Sequence, residues 1–368
     1  MSVIQIQNLS GRISSSFSSA YVADQITMEI DENSTIGILG ESGSGKTQLA
    51  MTLAGLNNAN YQMERGSIHY KFNGLEEFTI VPNDIKIGSN EISFDELQTK
   101  LTRDGIYGNR IGFMFQDPGK SLNPYWTIGR HFKEILNTKK EDDLGLFNTR
   151  KEEIYRALKL DIELDNRYPN QLSGGQQQRV VVALVLVSEP EVIIADEIAT
   201  GVDASVKREL LDYLLYVKHL TKSTLLIITH DIGFLLKIAD RIILMYKGAA
   251  LQSLDADIIR SVILSAQFIN QDVLKSKELI PGNMQRNHNE GFDSISQQLH
   301  PYLRGLLSAY IYNIPLEGDI PDPTKPTGEV CPFAERCSDR MDECSQTFPL
   351  LTTKPKGWVR CLKFEEKQ

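Results

Sequence analysis

The hydrophobic pattern of the chain alternates between a period typical of strands and one typical of helices. Strict alternation over residues 26–30 predicts a half-exposed strand, and residues 3–9 are also predicted to be a strand. Unbroken apolar runs at residues 36–39, 192–195 and 225–228 predict strands that are buried on both faces, as in a parallel sheet. The pattern therefore predicts an α/β fold in which a small sheet leads into a larger one.

Between these strands, apolar residues recur at helical spacing. They predict a helical insert over about residues 120–172 and a further helix that contains the apolar run 180–187. Residues 73–109 have no clear period, although Ser93 and Glu96 have the spacing of a capping box for a short helix. We assign no function to this stretch.

A glycine-rich loop lies between the strand at residues 36–39 and a helix that starts near Gln48. The loop consists of Gly40, Glu41, Ser42, Gly43, Ser44, Gly45, Lys46 and Thr47. Its glycines allow backbone N–H groups and a helix N-terminus to point at one phosphate. Lys46 adds charge for the outer phosphates, and the Thr47 hydroxyl suits Mg²⁺. A turn without a ligand is the alternative, but the flanking strand and helix favour a nucleotide phosphate site.

Polar groups at the ends of three other predicted elements complete a candidate site. The start of one helix carries Ser173, Gly174, Gly175 and Gln176, which form a second anion site. Asp196 and Glu197 end a buried strand, where Asp196 is suited to Mg²⁺ and Glu197 to polarising an attacking water. His230 ends the next buried strand and is placed to reach a γ-phosphate. A solvated acidic loop and an exposed histidine are the alternatives, and the phosphate loop upstream makes them less favoured.

Charge and composition limit the class of protein. The 368 residues include 39 basic and 48 acidic side chains, a net charge of −9 that argues against nucleic acid as the main partner. The longest apolar run, 180–187, is far shorter than the roughly 20 residues needed to span a bilayer. The N-terminus lacks the pattern of a signal peptide, so we expect a cytosolic chain whose membrane role requires a partner.

All four cysteines lie after residue 330. They are Cys331, Cys337, Cys344 and Cys361. In a reducing cytosol such clustering indicates a metal site before disulfides, although the spacings differ from the paired C-x2-C of common zinc folds. A module of fewer than about 40 residues rarely has enough core to fold alone, so a metal would supply the missing stability.

The motifs follow one another in a specific order. They are the phosphate loop, Gln116, Leu172 to Gln176, Asp196, Glu197, Asp203 and His230. In this order they resemble the ATP-binding subunit of an ABC transporter. In that family two subunits pair head to tail and enclose two ATP molecules, each between one phosphate loop and the other subunit's signature sequence. The resemblance implies a P-loop NTPase core with a small antiparallel β subdomain and a helical subdomain insert.

The resemblance also implies a role for each motif residue. ATP would be bound by Gly40, Ser42, Gly43, Ser44, Gly45, Lys46, Thr47 and Asp203, and the nucleotide of a second subunit by Ser173, Gly174, Gly175 and Gln176. Glu197 would be the catalytic base and His230 the switch histidine. Gln116 would link the γ-phosphate to the membrane subunit and, with Thr47 and Asp196, hold Mg²⁺.

Two further positions near these motifs bear on the expected ATP site. Phe17 has the spacing to Lys46 of the family's adenine-stacking residue, with Tyr21 as a substitute, while packing at a strand end is an equally favoured alternative for Phe17. Ile198 stands where the family usually has proline after the glutamate. Since both acids and Asp203 are kept, an active ATP site is still expected.

A narrower resemblance comes from residues 116–124, 300–307 and 331–337. These segments are similar to the ATPase subunits of oligopeptide and dipeptide importers, a subfamily that includes carriers of nickel and of oligosaccharides. Some of its members hold a [4Fe-4S] cluster on such a cysteine motif, and four thiolates are the right count. An iron–sulfur cluster, zinc and free thiols all remain open.

These observations predict three regions and one function. Residues 1–255 are expected to form the nucleotide-binding domain, 256–325 a linker or accessory region, and 326–368 the cysteine module. The predicted protein is a peripheral ATPase on the cytoplasmic face of the membrane that drives peptide import. Its expected partners are a second, related ATPase subunit, two permease subunits and an external solute-binding protein. A soluble ABC ATPase in repair or translation is the alternative from another class, and a plain P-loop kinase is a third.

Overall fold

The computed structural model describes residues 2–14, 19–57, 60–83, 88, 90–139, 144–200, 204–275, 298–319 and 329–365. The strands are β1 (Ser2–Ser14), β2 (Ser19–Asp31), β3 (Thr35–Leu39), β4 (Tyr61–Tyr70), β5 (Phe78–Val81), β6 (Glu91–Ser93), β7 (Ile111–Met114), β8 (Val192–Asp196), β9 (Thr224–Thr229), β10 (Arg241–Tyr246), β11 (Ala249–Asp255), β12 (Leu351–Lys354) and β13 (Gly357–Arg360). The helices are α1 (Lys46–Ala54), α2 (Phe94–Arg103), α3 (Pro118–Ser121), α4 (Ile128–Lys139), α5 (Leu144–Ala157), α6 (Gly174–Val187), α7 (Ala204–Thr221), α8 (Ile232–Ile238), α9 (Ala256–Lys275) and α10 (Pro301–Tyr312).

The smaller sheet has the strand order β2-β1-β4-β5-β6 and is antiparallel except between β5 and β6. The strands predicted at residues 3–9 and 26–30 lie within β1 and β2, where Ile4 pairs with Ile30 and Ile6 with Met28. The aperiodic stretch after residue 73 supplies β5, β6 and α2, which extend this sheet. Ser93 is the N-cap residue of α2, but its side chain makes no capping hydrogen bond.

The larger sheet has the order β12-β13-β11-β10-β3-β9-β8-β7, and the five strands from β10 to β7 are parallel. Every residue of β3, β8 and β9 is buried, as their unbroken apolar runs predicted. Alternate residues face two separate hydrophobic clusters: Ile193 and Ile227 belong to one, Ile194 and Ile228 to the other. Because the strands are parallel, the loops that follow β3, β9, β8 and β7 meet at one edge of the sheet.

The predicted helical insert is present. It contains α3, α4, α5 and two 3-10 turns, Ile162–Asn166 and Pro169–Gln171, and it packs against α6. Among the residues that the structure describes, no helix is both long enough and apolar enough to cross a bilayer.

The C-terminal region is built into the main body. Strand β13 pairs with β11, with Trp358 opposite Ser253, and so adds a hairpin to the larger sheet. Phe333 is 1% exposed, and its ring centroid lies 5.2 Å from that of Tyr246 and 5.1 Å from that of Tyr302. The prediction that this region has too little core is wrong, because its core is shared with the rest of the chain. A stabilising metal stays a prediction. The domain limits at residues 255 and 325 stay predictions.

Candidate nucleotide site

The phosphate loop connects β3 to α1 and fits closely between two strands. Gly45 has a φ of +94° and is the N-cap residue of α1. A Cβ atom at Gly45 would lie 2.3 Å from the Val22 carbonyl oxygen, and one at Gly40 would lie 2.3 Å from that of Met245. The glycines are thus required both by the left-handed backbone and by the close approach of β2 and β10. The loop leaves backbone N–H groups at a helix N-terminus, the arrangement that binds anions.

Lys46 is enclosed by the loop that precedes it. The side chain is 4% exposed, and Nζ donates to the carbonyl oxygens of Gly40 and Glu41 at 2.8 Å each. Burial lowers the pKa of Lys46, while the nearby carboxylates of Glu197 and Asp196 oppose that shift. The ammonium group is therefore positioned by backbone oxygens beside the anion-binding N–H groups.

Thr47 and Asp196 meet across the sheet edge. Thr47 Oγ1 donates to Asp196 Oδ1 at 3.0 Å. Burial raises the pKa of Asp196 to about 6, although the hydrogen bond from Thr47 opposes the shift. A buried carboxylate beside a hydroxyl is a suitable pair of hard oxygen ligands for Mg²⁺. Gln116 follows β7 in the neighbouring position and is exposed.

Glu197 lies between Lys46 and His230. Its Oε1 is 3.9 Å from Lys46 Nζ and 3.7 Å from His230 Nδ1, and its Oε2 accepts a 3.1 Å hydrogen bond from Thr200 Oγ1. The φ of Glu197 is +48°, which is uncommon for a residue with a side chain. The Glu197 side chain is 13% exposed and that of His230 is 50% exposed, so this end of the site opens to solvent.

The second predicted anion site is the start of α6. Ser173 and Gln176 form a reciprocal capping box: Ser173 Oγ accepts from Gln176 N at 3.3 Å, and Gln176 Oε1 accepts from Ser173 N at 3.0 Å. A Cβ atom at Gly174 or Gly175 would meet nothing within 4 Å, so this helix start faces open space. In the described part of the chain, no hydrogen bond or ion pair connects any of the residues 173–176 with the phosphate loop.

Two protein-family models match the chain that carries this geometry. The ABC transporter model matches residues 23–200, and the model of the oligopeptide/dipeptide transporter C-terminal region matches residues 293–344. The chain belongs to the ABC transporter ATPases. The second match assigns it to their oligopeptide/dipeptide branch.

Curated relatives of this ABC ATPase align over nearly its whole length. The oligopeptide transport ATP-binding protein AppD of Bacillus subtilis is 29% identical over 360 residues, which cover 94% of this chain and 91% of the relative. The oligopeptide transport ATP-binding protein OppD of Haemophilus influenzae is 29% identical over 371 residues, covering 97% and 96%. The solved dimeric ATP-binding cassette MJ0796 with ADP and Pi superimposes with a TM-score of 0.54 at 24% identity, covering 69% of this chain and 98% of that one. This structural likeness confirms the predicted fold.

Some predicted site residues lie outside the described part of this ABC ATPase. Phe17 and Asp203 are among them. Tyr21, the substitute for Phe17, lies on β2 with the Arg12 guanidinium 5.3 Å from its ring centroid. The assignment of the stacking residue therefore stays a prediction, as do the catalytic and binding roles of the other motif residues.

The structure adds residues that the sequence did not indicate. Gln178 Nε2 donates to the Ile198 carbonyl oxygen at 2.7 Å and so joins α6 to the loop after Glu197. Tyr302 and Arg336, from the C-terminal part of the chain, both hydrogen-bond to Glu41 of the phosphate loop. No local sequence pattern predicts these contacts, because each joins residues that are far apart in sequence.

The four cysteines are free thiols that lie near one another. Cys331, Cys344 and Cys361 are buried, Cys337 is half-buried, and Cys331 N donates to the Cys344 carbonyl oxygen at 3.1 Å. Burial, together with the smaller effect of the neighbouring thiols, raises the pKa of Cys331 to about 12. Within the described ranges, no three His, Cys, Asp or Glu side chains are arranged to hold a metal ion.

Proposed function

We propose that this ABC ATPase is the ATP-hydrolysing subunit of an importer that takes up oligopeptides or dipeptides across the cytoplasmic membrane. The observation that carries the proposal is one chain combining the nucleotide-site geometry with the oligopeptide/dipeptide transporter C-terminal region. The names of the relatives AppD and OppD, both oligopeptide transport ATP-binding proteins, support the cargo class. Import of nickel or oligosaccharides by the same kind of machine is the second candidate, since these carriers share the subfamily.

The proposed reaction assigns each group of the site one task. Lys46 and the backbone N–H groups at the start of α1 bind the phosphates of ATP. Thr47 and Asp196 would hold Mg²⁺, with Gln116 as a further ligand, and the cation would supply positive charge beside the phosphates. Glu197 accepts a proton from the attacking water, and His230 contacts the γ-phosphate.

The open start of α6 supports pairing with a second ATPase subunit. The helix start formed by Ser173, Gly174, Gly175 and Gln176 is open at its two glycines, and its N-terminus suits the nucleotide held by the other subunit. We propose a related, non-identical subunit as the partner, together with two permease subunits on the cytoplasmic face and an external solute-binding protein. Nucleic acid is not a proposed partner because the chain carries a net charge of −9.

We also propose that the four cysteines hold a metal group, either a [4Fe-4S] cluster or zinc. Thiolates are the preferred ligands of both groups, and binding would displace the protons of Cys331, Cys337 and Cys361, whose pKa values are raised mainly by burial. The thiols would have to approach more closely than in the structure. Iron, zinc and acid-labile sulfide assays on anaerobically purified protein decide the point. Iron with sulfide supports the cluster, zinc alone supports a zinc site, and neither contradicts the proposal.

The transport proposal is tested by uptake in the native host. Labelled dipeptides, oligopeptides, nickel and oligosaccharides are supplied to cells with the wild-type chain, with Glu197→Gln or with the surface control Glu189→Gln. We expect Glu197→Gln alone to abolish peptide uptake while the other solutes still enter. Loss of nickel or oligosaccharide uptake instead would favour the second candidate, and unchanged uptake of all four would contradict both.

A further inference from the structure

Glu41, the second residue of the phosphate loop, is held through its side chain and both backbone polar groups. Arg336 donates to its carboxylate from Nη1 at 2.6 Å and from Nη2 at 3.2 Å. Its N–H group donates to the Tyr302 hydroxyl at 2.8 Å, and its carbonyl oxygen accepts from Lys46 Nζ at 2.8 Å. The position of Glu41 thus joins the C-terminal part of the chain to the cation that is proposed to bind phosphate.

Arg336 is itself rigidly held. It ends the 3-10 turn Ala334–Arg336, its side chain is 6% exposed, and Nε donates to the Glu317 carbonyl oxygen at 2.9 Å. Nη1 also donates to the Tyr246 hydroxyl at 3.3 Å. A bidentate guanidinium–carboxylate pair in such surroundings fixes orientation as well as charge.

Tyr302 is equally fixed. It is fully buried at the start of α10, and its ring packs against Tyr246 with centroids 4.8 Å apart. Its hydroxyl reaches Glu41 because the rings of the C-terminal core hold it there. Removing the hydroxyl would leave the Glu41 N–H group without this acceptor but leave the ring packing in place.

We propose that Arg336 and Tyr302 are positioning residues for the phosphate loop, which act through Glu41 to hold Lys46 in its ATP-binding position. The inference rests on the proposed ATP site and adds that the C-terminal region sets its affinity.

The test compares ATP affinity among full-length variants. Arg336→Met removes the charge and the fork, Arg336→Lys restores the charge alone, and Tyr302→Phe removes one hydroxyl. Arg360→Lys is the matched control, because Arg360 is a buried arginine of the same region that bonds to the carbonyl oxygens of Gln25 and Pro349 and does not contact Glu41. Binding of a fluorescent ATP analogue and the melting temperature are measured for each.

We expect Arg336→Met to raise the Kd for the analogue about tenfold, the usual order for losing a charge-assisted hydrogen-bonded pair, with partial recovery in Arg336→Lys. Tyr302→Phe should raise Kd about threefold at an almost unchanged melting temperature. Glu41→Gln added to Arg336→Met should cause little further loss, because both act through one contact. These results support a positioning role, which a purely structural role would not produce.

Several results would overturn the inference. One is an unchanged Kd in Arg336→Met and Tyr302→Phe, and another is an equal rise of Kd in Arg360→Lys. If Arg336→Met does not fold, an unchanged Kd in Tyr302→Phe is sufficient. In these cases the wild type still binds the analogue, so the proposed ATPase function stands. Failure of the wild type to bind it would instead overturn the ATP site and the inference together.

Discussion

The two glycine-rich helix starts of this ABC ATPase differ in how much of their own chain surrounds them. At α1, a Cβ atom on Gly45 would collide with β2, and Lys46 is 4% exposed. At α6, a Cβ atom on Gly174 would meet nothing within 4 Å. Both are suited to phosphate, but one belongs to an enclosed site and the other is an open surface. The difference fits the proposal that α1 serves the chain's own nucleotide and α6 that of a second subunit.

Glu197→Gln should give the largest effect, because it removes the proposed base from the α1 site. In the assembled transporter we expect kcat for ATP hydrolysis to fall by about a hundredfold or more, with ATP still bound. Glu189→Gln, on a half-exposed surface carboxylate, is the control and should leave kcat unchanged. Hydrolysis at the normal rate in Glu197→Gln would remove the residue from this role.

Gly174→Asp tests whether the starts of α1 and α6 serve different nucleotides. The side chain has room, and an acid at a helix N-terminus favours the helix, so stability should not fall. We expect the isolated chain to bind ATP normally and the assembled transporter to hydrolyse it about tenfold more slowly, because the new charge repels the phosphates of the other nucleotide.

Gly45→Ala is the contrasting variant. Its Cβ atom would lie 2.3 Å from the Val22 carbonyl oxygen at a φ of +94°, so ATP binding to the isolated chain should be lost. For both variants, nucleotide titration measures the Kd of the isolated chain for ATP, and phosphate release measures the rate of hydrolysis by the assembled transporter. The comparison fails if Gly174→Asp weakens ATP binding by the isolated chain as strongly as Gly45→Ala does.

Asp196→Asn measures how much the burial of the ionised Asp196 carboxylate lowers the free energy of unfolding. Since the pKa of Asp196 is raised from 3.8 to about 6, the folded state binds the proton more tightly than the unfolded state. Ionisation above pH 6 therefore destabilises the fold, and the penalty disappears as the pH falls towards 4. Without Mg²⁺ or nucleotide, Asp196→Asn should raise the free energy of unfolding at pH 7.5 by up to about 3 kcal/mol.

Urea unfolding in EDTA at a series of pH values checks this expectation. The advantage of Asp196→Asn over the wild type should shrink between pH 6 and pH 4. Asp212→Asn, at an exposed position of α7, should show no such dependence. A variant that is less stable than the wild type at pH 7.5 would contradict the expectation.

Gln178→Met should give the smallest effect. It removes the 2.7 Å hydrogen bond from α6 to the Ile198 carbonyl oxygen, the direct link between the α6 surface and the Glu197 loop. We expect about 1 kcal/mol less stability in urea unfolding and a few-fold lower ATP hydrolysis. Gln177→Met, which removes a 2.8 Å hydrogen bond to the Pro169 carbonyl oxygen instead, is the control. Equal losses of hydrolysis in both variants would show that the Ile198 contact has no special role.

The strands and helices around the site were predictable because their signals are local. Unbroken apolar runs mark β3, β8 and β9, and Ser173 with the two glycines that follow it marks the start of α6. Parallel pairing then brings Lys46, Asp196 and His230 to one edge. Two features were not predicted because their signals are not local. The strands β5 and β6 are too short to show a clear period, and the cysteine region takes its core from Tyr246 and Tyr302, which are distant in sequence.

The sequence by itself determined the α/β fold, the order of the motifs and the residue types that can bind phosphate and Mg²⁺. These follow from periodicity and from chemistry within short segments. Only the tertiary structure decided that Glu41 is held by Arg336, almost three hundred residues away, and that Gln178 reaches the carbonyl oxygen of Ile198. Such contacts depend on how the elements pack against one another, and single side-chain hydrogen bonds between distant segments leave no period in the sequence.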